Sequence, residues 1–200
     1  MTPFRTLRGI AVPVDGANID TDQIIPARFL LRRRTPDYGR YLFHDLRFDT
    51  AEQGRGFVLD RPDYRGAVIL VADANFGCGS AREQAPWAIQ AFGIGAIVAS
   101  GFGDIFYANC LKNGLLPAVV EPDVAARARA LLADHPGSAM TVDLDRRTIV
   151  LPDETSVSFA VDEAHRRRLL DGKDELSLTL ADAAAIDAYE AKRRVELDWT

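Results

Sequence analysis

Asn75-Phe76-Gly77-Cys78-Gly79-Ser80-Ala81-Arg82-Glu83-Gln84-Ala85-Pro86-Trp87-Ala88 is the stretch whose reading decides the fold. Before it lies Ala67-Val68-Ile69-Leu70-Val71-Ala72, an unbroken apolar run. Such a run reads as a strand covered on both faces, as in a parallel sheet. After it, residues 84–92 read as a helix. The stretch is therefore a strand-to-helix crossing, where α/β folds present ligands. Gly77 and Gly79 allow a sharp turn and close approach of the backbone to a ligand. Backbone N–H groups at a helix start can hold an anion. Ser80 and Arg82 add a hydroxyl and a cation at the same place. Ser80-x-x-Glu83 also reads as a capping box, and Arg82 as a solvated first-turn residue. Pro86 weighs against a helix begun at Ala81. The segment lacks the third glycine of a dinucleotide fingerprint and the Gly-Lys-Ser/Thr of a P-loop.

Outward from this turn, the order is strand, helix, strand, helix, strand. Residues 95–100 form a second short buried strand. Residues 105–112 form a helix closed by Asn113-Gly114, and residues 115–120 a third strand. This order predicts an α/β fold with right-handed crossovers and a parallel core. Residues 7–14 read as a first strand and residues 123–134 as an amphipathic helix. Residues 140–144, 148–151 and 156–159 read as short strands of an antiparallel appendage. Residues 161–170 and 182–194 read as helices, the last with charged pairs such as Glu190 with Arg194. The whole reads as one domain over residues 1–200, with a C-terminal helical extension from about residue 161.

Two segments could carry function. Asn18-Ile19-Asp20-Thr21-Asp22-Gln23-Ile24-Ile25-Pro26 holds an Asp-x-Asp pair. Such a pair can bind a cation, but in a loop it more often makes side-chain turns and helix caps, and that reading is preferred. Residues 27–62 show little periodicity and carry Arg28, Arg32, Arg33, Arg34, Arg40 and Arg47. They read as a solvated charged loop or, more sharply, as a mobile flap over an anionic substrate.

Composition limits the partners. Apolar residues are 48% and charged residues 26%, as in an ordinary globule, and the net charge of −5 argues against nucleic acid. No apolar run approaches a membrane span, and the short apolar segment at residues 9–14 is no signal peptide. Cys78 and Cys110 have no metal-ligand spacing; no metal site is expected, and the usage fits a reducing cytoplasm.

The motifs 18–26 and 75–83, with Asp104-Ile105-Phe106-Tyr107-Ala108-Asn109, resemble the small subunits of 3-isopropylmalate dehydratases, of the aconitase superfamily. The likeness runs from Gly9 to Lys192 and includes Leu178-Thr179-Leu180 and Tyr189-Glu190-Ala191-Lys192. It implies a swivelling β/β/α domain and a hydro-lyase of two chains. It places a [4Fe-4S] cluster on the large subunit and no cofactor on this chain. It implies Ser80 as the base and Arg82 as the grip on a substrate carboxylate. Gly79 and Ala81 would line the substrate, and Leu31 and Arg32 would sit in the flap that selects the substrate side chain.

The sequence departs from that family's pattern in places. Ala81 stands where a second serine is usual, Gln84 for a common histidine and Gly103 for a common alanine. The flap 29–38 lacks the lysine or glutamine expected at Leu31. These changes leave the reaction type intact and open the substrate to sister hydro-lyases acting on citraconate, maleate or dimethylmalate. A non-catalytic module that binds an anion or a partner at the turn is the alternative of another class.

Overall fold

The computed structural model describes residues 1–197. Seven strands form one mixed sheet in the order β4-β3-β2-β1-β5-β6-β7. These are β1 (Thr6–Pro13), β2 (Ile69–Val71), β3 (Ala96–Ala99), β4 (Leu116–Val119), β5 (Ala139–Asp143), β6 (Thr148–Val150) and β7 (Ser156–Ser158). Strands β1 to β4 are parallel neighbours, with Ala11 opposite Ile69 and Ala96 opposite Leu116. Strand β5 pairs antiparallel with the other edge of β1, and β6 and β7 continue outward. The three C-terminal strands are thus an extension of the main sheet.

The helices are α1 (Thr21–Ile24), α2 (His44–Arg47), α3 (Gln84–Phe92), α4 (Asp104–Asn113), α5 (Pro122–Asp134), α6 (Glu163–Asp171), α7 (Glu175–Ala181) and α8 (Ala183–Glu196). Both faces of β2, β3 and β4 are covered, so these three strands are apolar at every position. The two-residue period sends Val12, Leu70 and Ile97 to one face, where they meet Ile89, Phe76 and Phe106. It sends Ala11, Ile69, Val71 and Val98 to the other face, with Ala125, Ala128 and Leu132 of α5 and Leu169 of α6.

Helix starts and stops follow from local chemistry. Gly114 ends α4 at φ +78°, donating its N–H back to the last turn. Asp162 caps α6 through the N–H groups of Ala164 and His165. Asp174 caps α7, a short helix that the sequence pattern does not announce, because only Asp182 separates it from α8. Glu190 and Arg194 pair on α8 at 3.6 Å.

Residues 27–62 are built from short helical turns: 3-10 turns at Ala27–Phe29, Pro36–Tyr41 and Val58–Asp60, and α2 between them. Tyr38, Leu42, Phe43 and Leu59 enter the core. Gly39 lies so close to α3 that a Cβ would stand 2.5 Å from the Phe92 nitrogen. Residues 27–37, which include the tip, and residues 48–58 hold no buried side chain.

The turn after β2 is fixed by steric fit. Gly77 adopts φ +74°, and a Cβ there would stand 2.2 Å from Cγ of Phe106. Phe106 is itself locked against Phe76 and Phe102 by ring contacts at 5.5 and 6.4 Å. Gly77→Ala should therefore destabilise the chain by about 1–3 kcal/mol or more, the scale of overpacking. Thermal melts check this against Gly16→Ala, where φ is +108° but no atom lies within 4 Å of the added Cβ. The Gly77 variant should melt several degrees lower than the Gly16 variant; equal melting would mean that Phe106 moves aside freely.

Candidate active site

Residues 75–82 leave β2 and cross to α3. The turn is strapped by residues 18–25 from the other side. The Gly77 N–H donates to the Ile19 carbonyl at 2.7 Å, and the Thr21 N–H to the Cys78 carbonyl at 2.9 Å. The Thr21 hydroxyl donates to the Ser80 carbonyl at 2.8 Å. The Asn75 amide donates to the Asn18 side chain at 2.8 Å.

The capping reading of Ser80 is not realised. Helix α3 begins at Gln84 with Glu83 as its cap position, and no side chain caps it. Pro86 then falls in the first turn, where a missing N–H costs nothing and the proline can be buried. The capping box sits instead on α1. There Asp20 accepts from the Gln23 N–H at 2.8 Å, and the Gln23 side chain accepts from the Asp20 N–H at 3.0 Å. The preference for caps in the Asp-x-Asp segment holds for Asp20.

Two features of the turn follow. The Ser80 side chain is exposed, and its hydroxyl has no hydrogen-bond partner among the described residues. The backbone N–H groups of Gly79, Ser80, Ala81 and Arg82 also meet no acceptor among the described residues. Such a run of unpaired donors can receive an anion. Beside it lies a cavity of about 300 Å³ lined by Gly79, Ser80, Cys78 and, from the next crossing, Gly103, Asp104 and Phe106. The ends of β2 and β3 thus meet at one cavity, as expected outside the carboxyl ends of parallel strands.

Arg82 points to the strap. Its guanidinium grips the Asp22 carboxylate with two nitrogens, Nη2 lying 2.8 Å from Oδ2. Nη1 also donates to the Ile25 carbonyl at 3.2 Å. The side chain is only 12% exposed. Asp22 is the residue that the sequence reading missed. Its partner is far away in the chain, and nothing local distinguishes it from the capping Asp20.

Leu31 and Arg32 do not line the cavity. Leu31 is 99% exposed at the tip of the flap, with Arg32 and Arg33 exposed beside it. The arginines of this segment divide into two groups. Arg47 is buried, bonded to Asp60 at 2.6 Å and to the Leu42 carbonyl at 3.2 Å, so it serves the fold. Arg28 pairs with Asp45, whose carboxyl its hydrogen bond holds below the usual carboxylate range. Arg34 lies over the Trp87 ring at 4.9 Å and donates to Gln90 at 3.3 Å. Arg32 and Arg33 have no ion pair among the described residues and are the cations left at the tip.

No group of three or more His, Cys, Asp or Glu able to hold a metal ion occurs among the described residues. Cys110 is fully buried on α4, and burial pushes its thiol well up, which suits a core residue rather than a ligand. Cys78 lies alone in the turn. The residues of this chain therefore do not fit an iron–sulfur cluster, which takes several thiolates. No described helix is long and apolar enough to cross a membrane.

Comparison with known proteins bears on this turn and on the whole chain. A family profile described as the aconitase C-terminal domain matches residues 1–123, and one described as LeuD_N matches residues 127–163. A third, described as the C-terminal domain of the 3-isopropylmalate dehydratase small subunit, matches residues 177–200. A 3-isopropylmalate dehydratase small subunit from Methylibium petroleiphilum is 44% identical over 209 aligned residues, covering 100% of this chain and 97% of that protein. One from Rhodospirillum centenum is 44% identical over 200 residues, covering 100% and 98%. The crystal structure of a 3-isopropylmalate dehydratase from Methanocaldococcus jannaschii superposes with a TM-score of 0.65 at 27% identity, covering 92% of this chain and 99% of that one. Full-length identity of this order, on a swivelling α/β domain of matching fold, establishes that the chain belongs to the 3-isopropylmalate dehydratase small subunits of the aconitase superfamily.

Proposed function

We propose that this chain is the small subunit of a two-chain hydro-lyase that isomerises 2-isopropylmalate to 3-isopropylmalate in leucine biosynthesis, by dehydration and rehydration. The free Ser80 hydroxyl beside four unpaired N–H groups carries this reading, in a chain that matches named dehydratase small subunits end to end. A large subunit supplies the [4Fe-4S] cluster, because this chain has no ligand set for one. The chain acts as one swivelling domain, with residues 27–62 as the flap and the helices from about residue 161 as an extension. The setting is the reducing cytoplasm, in keeping with its two free cysteines.

The roles follow from the donors present. Ser80 Oγ takes the proton from the carbon beside a carboxylate. A serine is a weak base at its free pKa, so the site must favour alkoxide. The N–H groups of residues 79–82 and the Arg82 guanidinium supply that positive environment. The backbone of Gly79 and Ala81 contacts the substrate without need of a second hydroxyl, so alanine at position 81 is compatible. Arg82 holds a substrate carboxylate, for which its planar fork is suited. Leu31 and Arg32 at the flap tip meet the substrate side chain when the two chains close. A simple anion-binding module would not require the free hydroxyl. The unusual tip, Leu31 with Arg32 to Arg34, favours one second reading: a sister hydro-lyase for citraconate, maleate or dimethylmalate.

Purified alone, the chain should be colourless and inactive, and activity should appear on mixing with a cluster-loaded large subunit; a brown, active preparation of this chain alone would overturn the assignment. Grafting the usual isopropylmalate-type sequence into residues 29–38 should shift the relative kcat/KM between isopropylmalate and smaller malates. A methylene-scale pocket change is worth about 10- to 200-fold, and an unchanged preference across a panel of malates would remove the flap from specificity. In the reconstituted complex, Ser80→Ala should lower kcat by on the order of 10²–10⁴ with little change in KM. Its melting temperature should stay near wild type, since the hydroxyl caps nothing. Near-normal kcat would move the base to the partner subunit.

A further inference from the structure

The Asp22–Arg82 pair admits a count of hydrogen-bond donors. A guanidinium has five N–H groups. In Arg82 three are taken: one Nη1–H and one Nη2–H by the two oxygens of Asp22, and the second Nη1–H by the Ile25 carbonyl. The Nε–H and the second Nη2–H have no acceptor among the described residues. These two donors lie parallel on the same edge of the group. They form a second fork, which matches the two oxygens of a carboxylate.

Asp22 is well held for the task. It sits on α1, whose first turn is closed by the Asp20–Gln23 capping box. The neighbouring Thr21 bonds twice to the catalytic turn, to the carbonyls of Cys78 and Ser80. The Arg82 side chain thus has no freedom to turn another edge outward while the pair lasts.

We propose that Asp22 is a positioning residue: by occupying the end of the Arg82 guanidinium it presents the Nε–Nη2 edge, and only that edge, to a substrate carboxylate. Asp22 touches no substrate and takes no proton. It acts through Arg82, so its loss leaves a charged arginine that no longer faces one way. The inference rests on the role proposed for Arg82 above.

The test uses the complex reconstituted with the cluster-bearing large subunit. Steady-state kinetics with 2-isopropylmalate are compared for wild type, Asp22→Asn, Asp22→Ala, Arg82→Lys and the Asp22→Ala/Arg82→Lys double variant. Asp22→Asn and Asp22→Ala should raise KM by roughly 10- to 100-fold, the scale of a misplaced binding group, with a smaller loss in kcat. In the Arg82→Lys background, Asp22→Ala should add almost nothing, because the interaction it supports is already gone. A merely structural Asp22 would lower the melting temperature and give the same penalty in both backgrounds; Asp22→Asn, which preserves size, guards against a variant that fails to fold. An unchanged KM would overturn the proposal. So would a lower KM, which would mean that Asp22 competes with substrate for the arginine.

A second readout does not need turnover. With the small subunit labelled with ¹⁵N, adding 2-isopropylmalate or citraconate to the complex should shift the Arg82 Nε–H resonance in wild type and not in Asp22→Asn. If the wild-type complex turns over none of the malates yet this resonance moves, the positioning role stands and the dehydratase reading falls. If the complex is active and the resonance stays fixed, the positioning role falls alone.

Discussion

The strap between residues 18–25 and the turn at residues 75–82 is the constraint on which the site depends. The turn leaves a buried strand and must expose four N–H groups, a conformation that no helix or sheet stabilises by itself. The strap offsets that deficit by bonding the carbonyls of Cys78 and Ser80 and the N–H of Gly77, and leaves the donors of residues 79–82 outward. Orphan backbone donors are costly when buried and useful when aimed at an anion. The same strap carries the carboxylate that holds Arg82 and the carbonyl of Ile25 that completes its grip. The segment 27–62 begins two residues later, at Ala27, so its root and the arginine share one anchor.

Much of the parallel half was legible because its signals are local. An apolar run, a pair of glycines and a helix-closing Asn113-Gly114 each act over a few residues, and α3 falls at Gln84–Phe92 as the pattern requires. The strands of the antiparallel half were equally legible, but their docking was not. That β5 joins the open edge of β1 is a pairing across most of the chain, which periodicity does not encode. At the site, Ser80 and Arg82 stood out by residue type. The missing information was tertiary: that Ser80 caps nothing, and that Asp22 rather than Asp20 reaches the arginine. The reading of residues 27–62 as a cationic loop failed to separate Arg47, whose guanidinium is stacked over Phe48 and Phe92 and bonded to Asp60, from the exposed arginines of the tip. Only burial distinguishes them.

The chain is acidic overall, yet Arg32 and Arg33 are exposed at the flap tip, while Arg47 alone of the segment's arginines is buried. Exposed charges are screened within about 8 Å at physiological salt. The tip consequently reaches an anion only at close range.

The place of β1 in the sheet has a consequence for how the molecule is made. It precedes the other six strands in the chain, and it lies in the middle of the sheet, between β2 and β5. One of its edges finds β2 only after the whole flap segment has been synthesised, and the other waits for β5, beyond α5. Pairings so distant in sequence close slowly, and an open strand edge is a template for wrong partners. During synthesis the central strand is thus made before its neighbours and stays open on one side until β5 arrives. The polar and glycine-containing start of β1, Thr6-Leu7-Arg8-Gly9, faces β5 in the finished sheet and keeps that waiting edge poorly suited to association with another chain.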